Sequence, residues 1–168
     1  MQEHTQNIEV REAHPEDTDA IAAIYTESIL ARDSTMVMDP VSGAEMLERL
    51  TRLDPRESLL VAHQGESIIG WGIVKFYSER PGYRLACETS VFLRRDHVGQ
   101  GIGSLVQKHL MACARDAEFH HVLVRIWAQN ESSIAMHRKF GFTVVGTQQE
   151  IGEMDGRWID VTIMQCLL

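Results

Sequence analysis

The stretch that decides the fold runs Glu88-Thr89-Ser90-Val91-Phe92-Leu93, through Arg94-Arg95-Asp96-His97, into Val98-Gly99-Gln100-Gly101-Ile102-Gly103. Its first six residues read as a strand. Beyond the glycines, Ile102, Leu105, Val106, Leu110 and Cys113 keep helical spacing, which predicts an amphipathic helix from about Gly101. A strand that feeds a glycine-rich turn and then a helix collects outward-pointing main-chain N–H groups at one spot. Glycine lets an anion approach that backbone closely, and a helix start favours negative charge. A plain glycine-rich turn would look the same. Two known nucleotide motifs do not fit. A dinucleotide fingerprint begun at Gly99 needs glycine where Ser104 stands, and no Gly-Lys-Ser/Thr follows for a P-loop.

Working outward, Ile8 to Arg11 alternates like a short strand. Pro15 opens a helix carrying Ile21, Ile24, Tyr25 and Ile29, with Glu16 and Asp17 in its first turn where acids suit the dipole. Residues 30–42 are irregular, and Met46, Leu47 and Leu50 predict a second short helix. Leu59 to Ala62 and Ile68 to Phe76 are strands joined by a turn at 64–67. On the far side of the glycines, Val122 to Trp127 is a buried strand of the parallel-sheet kind. Asn130 can cap a helix reaching Phe140, with Gly141 ending it. Two last strands, Phe142 to Glu150 and Trp158 to Met164, join through Asp155-Gly156. The order is β α α β β β α β α β β, with no repeat or linker, so residues 1–168 are expected to form one α/β domain, residues 1–7 being flexible.

Composition narrows the function. The 168 residues hold 24 acids and 16 basic residues, a formal charge of −8. That excess argues against broad nucleic-acid or anionic-membrane binding. No apolar run approaches the ~20 residues of a membrane span, and the polar start lacks a signal-peptide pattern. Cys87, Cys113 and Cys166 cannot pair completely and lack metal-ligand spacing, as does His120-His121, so a reduced, cytoplasmic, metal-free protein is expected. His109 falls on an apolar stripe as a packing histidine would.

Taken with Asn130, the Met136-His137 pair, Phe140-Gly141-Phe142 and the ending Gly156-Arg157-Trp158-Ile159-Asp160-Val161, the strand and glycine turn resemble the GNAT N-acetyltransferases. Within them they resemble the phosphinothricin and methionine-derivative acetyltransferase subgroup. The resemblance covers Ile8 to about Gln165. It implies a mixed, mostly antiparallel sheet with a splayed central parallel pair flanked by helices. It also implies acetyl-CoA as co-substrate, a small amine as acceptor, and a homodimer. One departure stands at the head of the turn, where the family carries Arg or Gln and this chain has Val98. Arg94, Arg95 and His97 could supply compensating charge or could form only a solvated loop.

The implied reaction needs an ammonium group to lose a proton, attack the thioester and release the thiolate. The resemblance makes Glu88 the base and His137 the proton donor. It puts Val91, Phe92 and Leu93 on the pantetheine arm. Val98, Gly99, Gln100, Gly101, Ile102, Gly103 and Ser104 go to the pyrophosphate, and Asn130 and Ser133 elsewhere on CoA. It puts Met36, Arg80 and Tyr83 on the acceptor. Met36 and Val37 replace the subgroup's usual phenylalanine and glutamate, which favours a thioether, sulfone or other mostly apolar acceptor over phosphinothricin. Each residue also has a plain structural role: Glu88 as a satisfied edge carboxylate, His137 as a packing histidine, Asn130 as a helix cap, Arg80 and Tyr83 as loop surface. Two rival functions remain at this point, a protein or peptide N-acetyltransferase of the same fold and a non-catalytic acyl-CoA sensor.

Overall fold

The computed structural model describes residues 7–168, so most of the flexible start expected at 1–7 lies outside the described residues. One seven-stranded sheet carries the fold. Its strands are β1 (Ile8–Glu12), β2 (Ser58–Gln64), β3 (Ser67–Phe76), β4 (Ala86–Leu93), β5 (His121–Trp127), β6 (Thr143–Met154) and β7 (Arg157–Leu167), and its spatial order is β1-β2-β3-β4-β5-β7-β6. Four helices flank it: α1 (Thr18–Ala31), α2 (Gly43–Thr51), α3 (Ile102–Asp116) and α4 (Glu131–Lys139). The order along the chain is the expected one. β4 reaches back to Ala86, because Cys87 carries the apolar alternation into the sheet and is fully buried.

All strand pairs are antiparallel except β4 with β5. That parallel pair is short. It joins Ala86 to His121, Cys87 to Val122 and Glu88 to Leu123, and then ends, although both strands continue. β4 stays paired to β3 as far as Leu93, and β5 to β7 as far as Trp127. The sheet therefore opens between its two central strands from Glu88 onward.

Period-two alternation assigns the faces. Under α3, Val122, Val124 and Ile126 of β5 join Val106, Leu110 and Met111 in one core. Gly72 lets α3 lie close to the sheet, since a Cβ there would stand 2.8 Å from side-chain atoms of both Val106 and Leu110. Under α1 and α2, Val61, Trp71 and Ile73 pack against Ile21, Tyr25, Ile29 and Met46. α2 is held at its start by Ser42, whose hydroxyl accepts from the Glu45 N–H while the Glu45 carboxylate accepts from the Ser42 N–H. Asp155 and Gly156 both have positive φ and turn β6 tightly into β7.

Candidate active site

The face of the sheet under α1 and α2 is not fully filled. Register places Trp71 beside Phe92, Ile73 beside Ser90 and Lys75 beside Glu88, all on that face. With Arg125 and Trp127 of β5 and Val161 of β7, they wall a cavity of about 380 Å³ at the opening of the sheet. Tyr25, Ser34, Thr35 and Met36 close it from α1 and the following loop, and Arg49 from α2. Tyr25, Trp71 and Phe92 form its aromatic corner, with ring centroids 4.7–5.3 Å apart. The indole N–H groups of Trp71 and Trp127 are buried without an acceptor among the described residues.

Glu88 is the single carboxylate in this lining and is 8% exposed. It stands on the last pair of the β4–β5 ladder, where the strands part. Arg125 donates to its Oε2 at 2.6 Å. Among the described residues neither Thr89 nor a backbone donor satisfies Glu88, unlike its plain structural reading. Thr89 instead accepts from the buried Gln107 at 3.1 Å. The other Glu88 oxygen, Oε1, has no hydrogen-bond partner among the described residues. A buried charge without a partner is costly. Here the arginine pairs with one oxygen of Glu88 and leaves the other without a partner among the described residues.

Arg125, Lys75 and Arg49 were not singled out from the sequence. A signal existed for Arg125: a charged residue inside the run Val122-Leu123-Val124-Arg125-Ile126-Trp127 requires a partner across the sheet. Which partner depends on register. The same holds for Lys75, which ends an otherwise apolar stretch of β3.

The glycine turn has the expected local form. Gly99 and Gly101 take φ of +81° and +82°, the left-handed region that glycine tolerates, and a Cβ at either would meet open space. Gly101 is the N-cap residue of α3 and brings no capping side chain, nor is there an acid in the first turn. The N–H groups of Ile102, Gly103 and Ser104 thus begin the helix without intrahelical acceptors. Ile102 is buried and anchors the turn, whereas Val98 is 57% exposed. The neighbouring basic side chains are already engaged. Arg95 clamps Asp33 at 2.6 and 3.2 Å, while Arg94 and His97 share Asp96 at 3.4 and 2.7 Å. The hydrogen bond from His97, helped by the nearby Arg94 charge, holds Asp96 below the usual carboxylate range.

On α4, Asn130 accepts from the Ser133 N–H at 3.2 Å and caps the helix. His137 is 6% exposed and meets Phe142 edge-on. Its Nδ1–H donates to the Ser133 carbonyl at 2.8 Å. Burial pushes its basicity down, partly opposed by that hydrogen bond, so the neutral ring with its proton on Nδ1 is favoured. His137 does not line the cavity that holds Glu88.

Met36 does line the cavity, and packs against Gly152 of β6, where a Cβ would collide with its methyl end. The same loop is tied to the β6–β7 hairpin by an Arg32–Asp155 ion pair at 3.4 Å. Arg80 and Tyr83 fall elsewhere. Both are exposed on the segment between β3 and β4, Tyr83 lies against Tyr77, and neither side chain lines the cavity.

Comparison with known proteins places these features in a family. The acetyltransferase (GNAT) domain family matches residues 10–163. A phosphinothricin N-acetyltransferase of Alcaligenes faecalis is 29% identical over 158 residues, spanning 93% of this chain and 80% of that protein. An L-methionine sulfoximine/L-methionine sulfone acetyltransferase of Salmonella typhimurium is 30% identical over 168 residues, spanning 95% and 94%. Among solved structures, a phosphinothricin acetyltransferase from Sinorhizobium meliloti in complex with AcCoA superposes with a TM-score of 0.91 at 31% identity, covering 96% of this chain and 88% of that one.

Proposed function

This chain belongs to the GNAT acetyltransferase family, and on that premise we propose that it transfers acetyl from acetyl-CoA to the amine of a small amino acid or amino-acid analogue. The observation that carries this reading is Glu88, a buried carboxylate with one oxygen unpartnered among the described residues, set in a partly open cavity where β4 and β5 separate. The cavity's volume of about 380 Å³ suits an amino acid rather than a polypeptide. The relatives named for phosphinothricin and methionine sulfoximine or sulfone point to the same class of acceptor.

The residues present fit acetyl-CoA. Beyond Glu88, the edge of β4 facing β5 has no strand partner, so main-chain groups around Val91, Phe92 and Leu93 are free to bind an extended amide-bearing arm. The turn from Val98 to Ser104 presents helix-start N–H groups and open space for phosphate oxygens. Acetyl-CoA supplies the activated thioester. The protein's part is to hold it against the acceptor and to manage protons.

Glu88 takes the ammonium proton on Oε1, directly or through water, while Arg125 holds Oε2 and fixes the carboxylate. The remaining N–H groups of the Arg125 guanidinium, on a side chain 45% exposed, bind the acceptor's α-carboxylate next to its amine. This gives Arg125 the task the family resemblance assigned to Arg80 and Tyr83, which stand outside the lining. Attack is direct. Cys87, the neighbouring thiol, is pushed up to about 12 by burial and faces the α3 core, so it is no acetyl carrier. His137 and Asn130 act by shaping α4. The neutral His137 ring already donates its one N–H to Ser133 and has no proton for the thiolate.

We place the enzyme in the cytoplasm as a homodimer. Its three cysteines are free thiols, and β6 and β7 expose Val144, Val145, Ile151, Trp158 and Leu167 on one hairpin at the sheet edge. Light scattering of the purified protein tests the dimer. An acetylation screen tests the function. Amino acids, methionine sulfone and sulfoximine, phosphinothricin, polyamines and peptides are offered with acetyl-CoA, and thiol release is read. Turnover confined to peptides, or acetyl-CoA binding without turnover of any amine, overturns the reading.

A further inference from the structure

Two cations in the cavity wall have no side-chain partner among the described residues. Arg49 of α2 and Lys75 of β3 are half-buried, and among the described residues neither makes an ion pair or a side-chain hydrogen bond. Both also border a second, open cleft lined from α2 and β3, together with Glu45, Glu48, Arg52 and Glu57. Those three acids are engaged. Glu45 accepts from the N–H and hydroxyl of Ser42. Glu48 holds Arg52 at 2.7 Å. Glu57 accepts from the N–H groups of Phe76 and Asp54. Lys75 stands opposite Glu88 in the β3–β4 register, but Glu88 is bound to Arg125.

The cavity thus holds three cations, Arg49, Lys75 and Arg125, against one carboxylate. An acceptor with a single carboxylate would meet Arg125 and leave Arg49 and Lys75 covered but unpaired, which is unfavourable when water is displaced. An acceptor with a second anionic group would pair them. Building on the acetyltransferase reading, we infer that Arg49 and Lys75 form a second anion subsite that selects amino acids carrying an acidic side chain. The amine lies at Glu88, the α-carboxylate at Arg125, and the side-chain acid between α2 and β3. This runs against the apolar acceptor that Met36 suggested. Met36 covers one side of the cavity only, and the charge comes from strands and a helix distant in sequence.

The test is the selectivity between isosteric acceptors. Aspartate and glutamate are compared with asparagine and glutamine by kcat/KM in wild type, Lys75→Met and Arg49→Gln. The wild type is expected to prefer the acidic member of a pair, and either variant to lower that preference at least about tenfold, the equivalent of one charged hydrogen bond. A preference that stays within about twofold in both variants, or a wild type that turns over neutral amino acids but not acidic ones, overturns the subsite while leaving the acetyltransferase reading intact. If no amine is turned over, that reading fails and calorimetry decides the subsite separately. Glutarate should bind the wild-type protein with CoA present and bind more weakly to Lys75→Met, and absence of binding to wild type overturns it.

Discussion

Glu88→Gln separates chemistry from structure. The substitution preserves shape and leaves an oxygen that can still accept from Arg125, but it removes the charge and the base. Loss of a positioned general base lowers rate by about 10²–10⁴, which is about 2.7–5.4 kcal/mol in the barrier. The structural cost is smaller. A charged hydrogen bond at 2.6 Å becomes a neutral one, a difference of about 1 kcal/mol. The entropy of unfolding for 168 residues, at about 2.1 cal/mol/K each, converts that to about 3 °C in Tm. Thiol release at saturating acceptor and acetyl-CoA measures kcat, calorimetry measures CoA affinity, and a thermal melt measures the fold. The expected result is kcat lower by two orders or more, nearly unchanged CoA affinity and a small drop in Tm. A kcat within about threefold of wild type would remove Glu88 as base. A large fall in CoA affinity would show that the pair with Arg125 supports the opening of the sheet instead.

Three further outcomes follow from the same structure. Gly101→Val forces a β-branched residue into φ of +82° and puts methyls where phosphate oxygens must approach; CoA affinity by calorimetry should fall by more than about tenfold, and unchanged binding would move the phosphate site elsewhere. Gly152→Val collides with Met36, so KM for the acceptor should rise with little change in CoA affinity, whereas an unchanged KM would show that the loop is free to move. Asp17→Asn removes one of the two bonds from Arg11 at 2.7 and 3.0 Å and the charge behind the other, and should cost about 1.5 kcal/mol, near the low end because Arg11 is partly exposed. Arg11 holds the Asp17 carboxyl below its usual range. Its contribution is therefore complete above about pH 4 and is lost as pH falls through the lowered folded value. Denaturation from pH 7 to pH 2.5 should show the gap between wild type and variant closing only in acid, and a constant gap would refute the charge-based account.

What the sequence determined by itself was local. Helix spacing from Ile21 to Ile29 and from Ile102 to Cys113, the Asn130 cap, the Asp155-Gly156 turn and the left-handed glycines at 99 and 101 depend on residues a few positions apart. Their physics is contained in short windows, so the elements and the form of the glycine turn could be read without coordinates. Glu88 was singled out through the family resemblance, at the start of the strand that leads into that turn. The tertiary structure alone decided what Glu88 meets. Arg125 lies 37 residues away and reaches it because β4 and β5 pair for three residues and then part. Register likewise brought Lys75 opposite Glu88, and packing of α2 brought Arg49 to the same wall, while Arg80 and Tyr83 were left on the surface. The formal charge of −8 said nothing of this, because composition averages over a surface, whereas a ligand responds to the few charges that strand register and helix packing gather around one cavity.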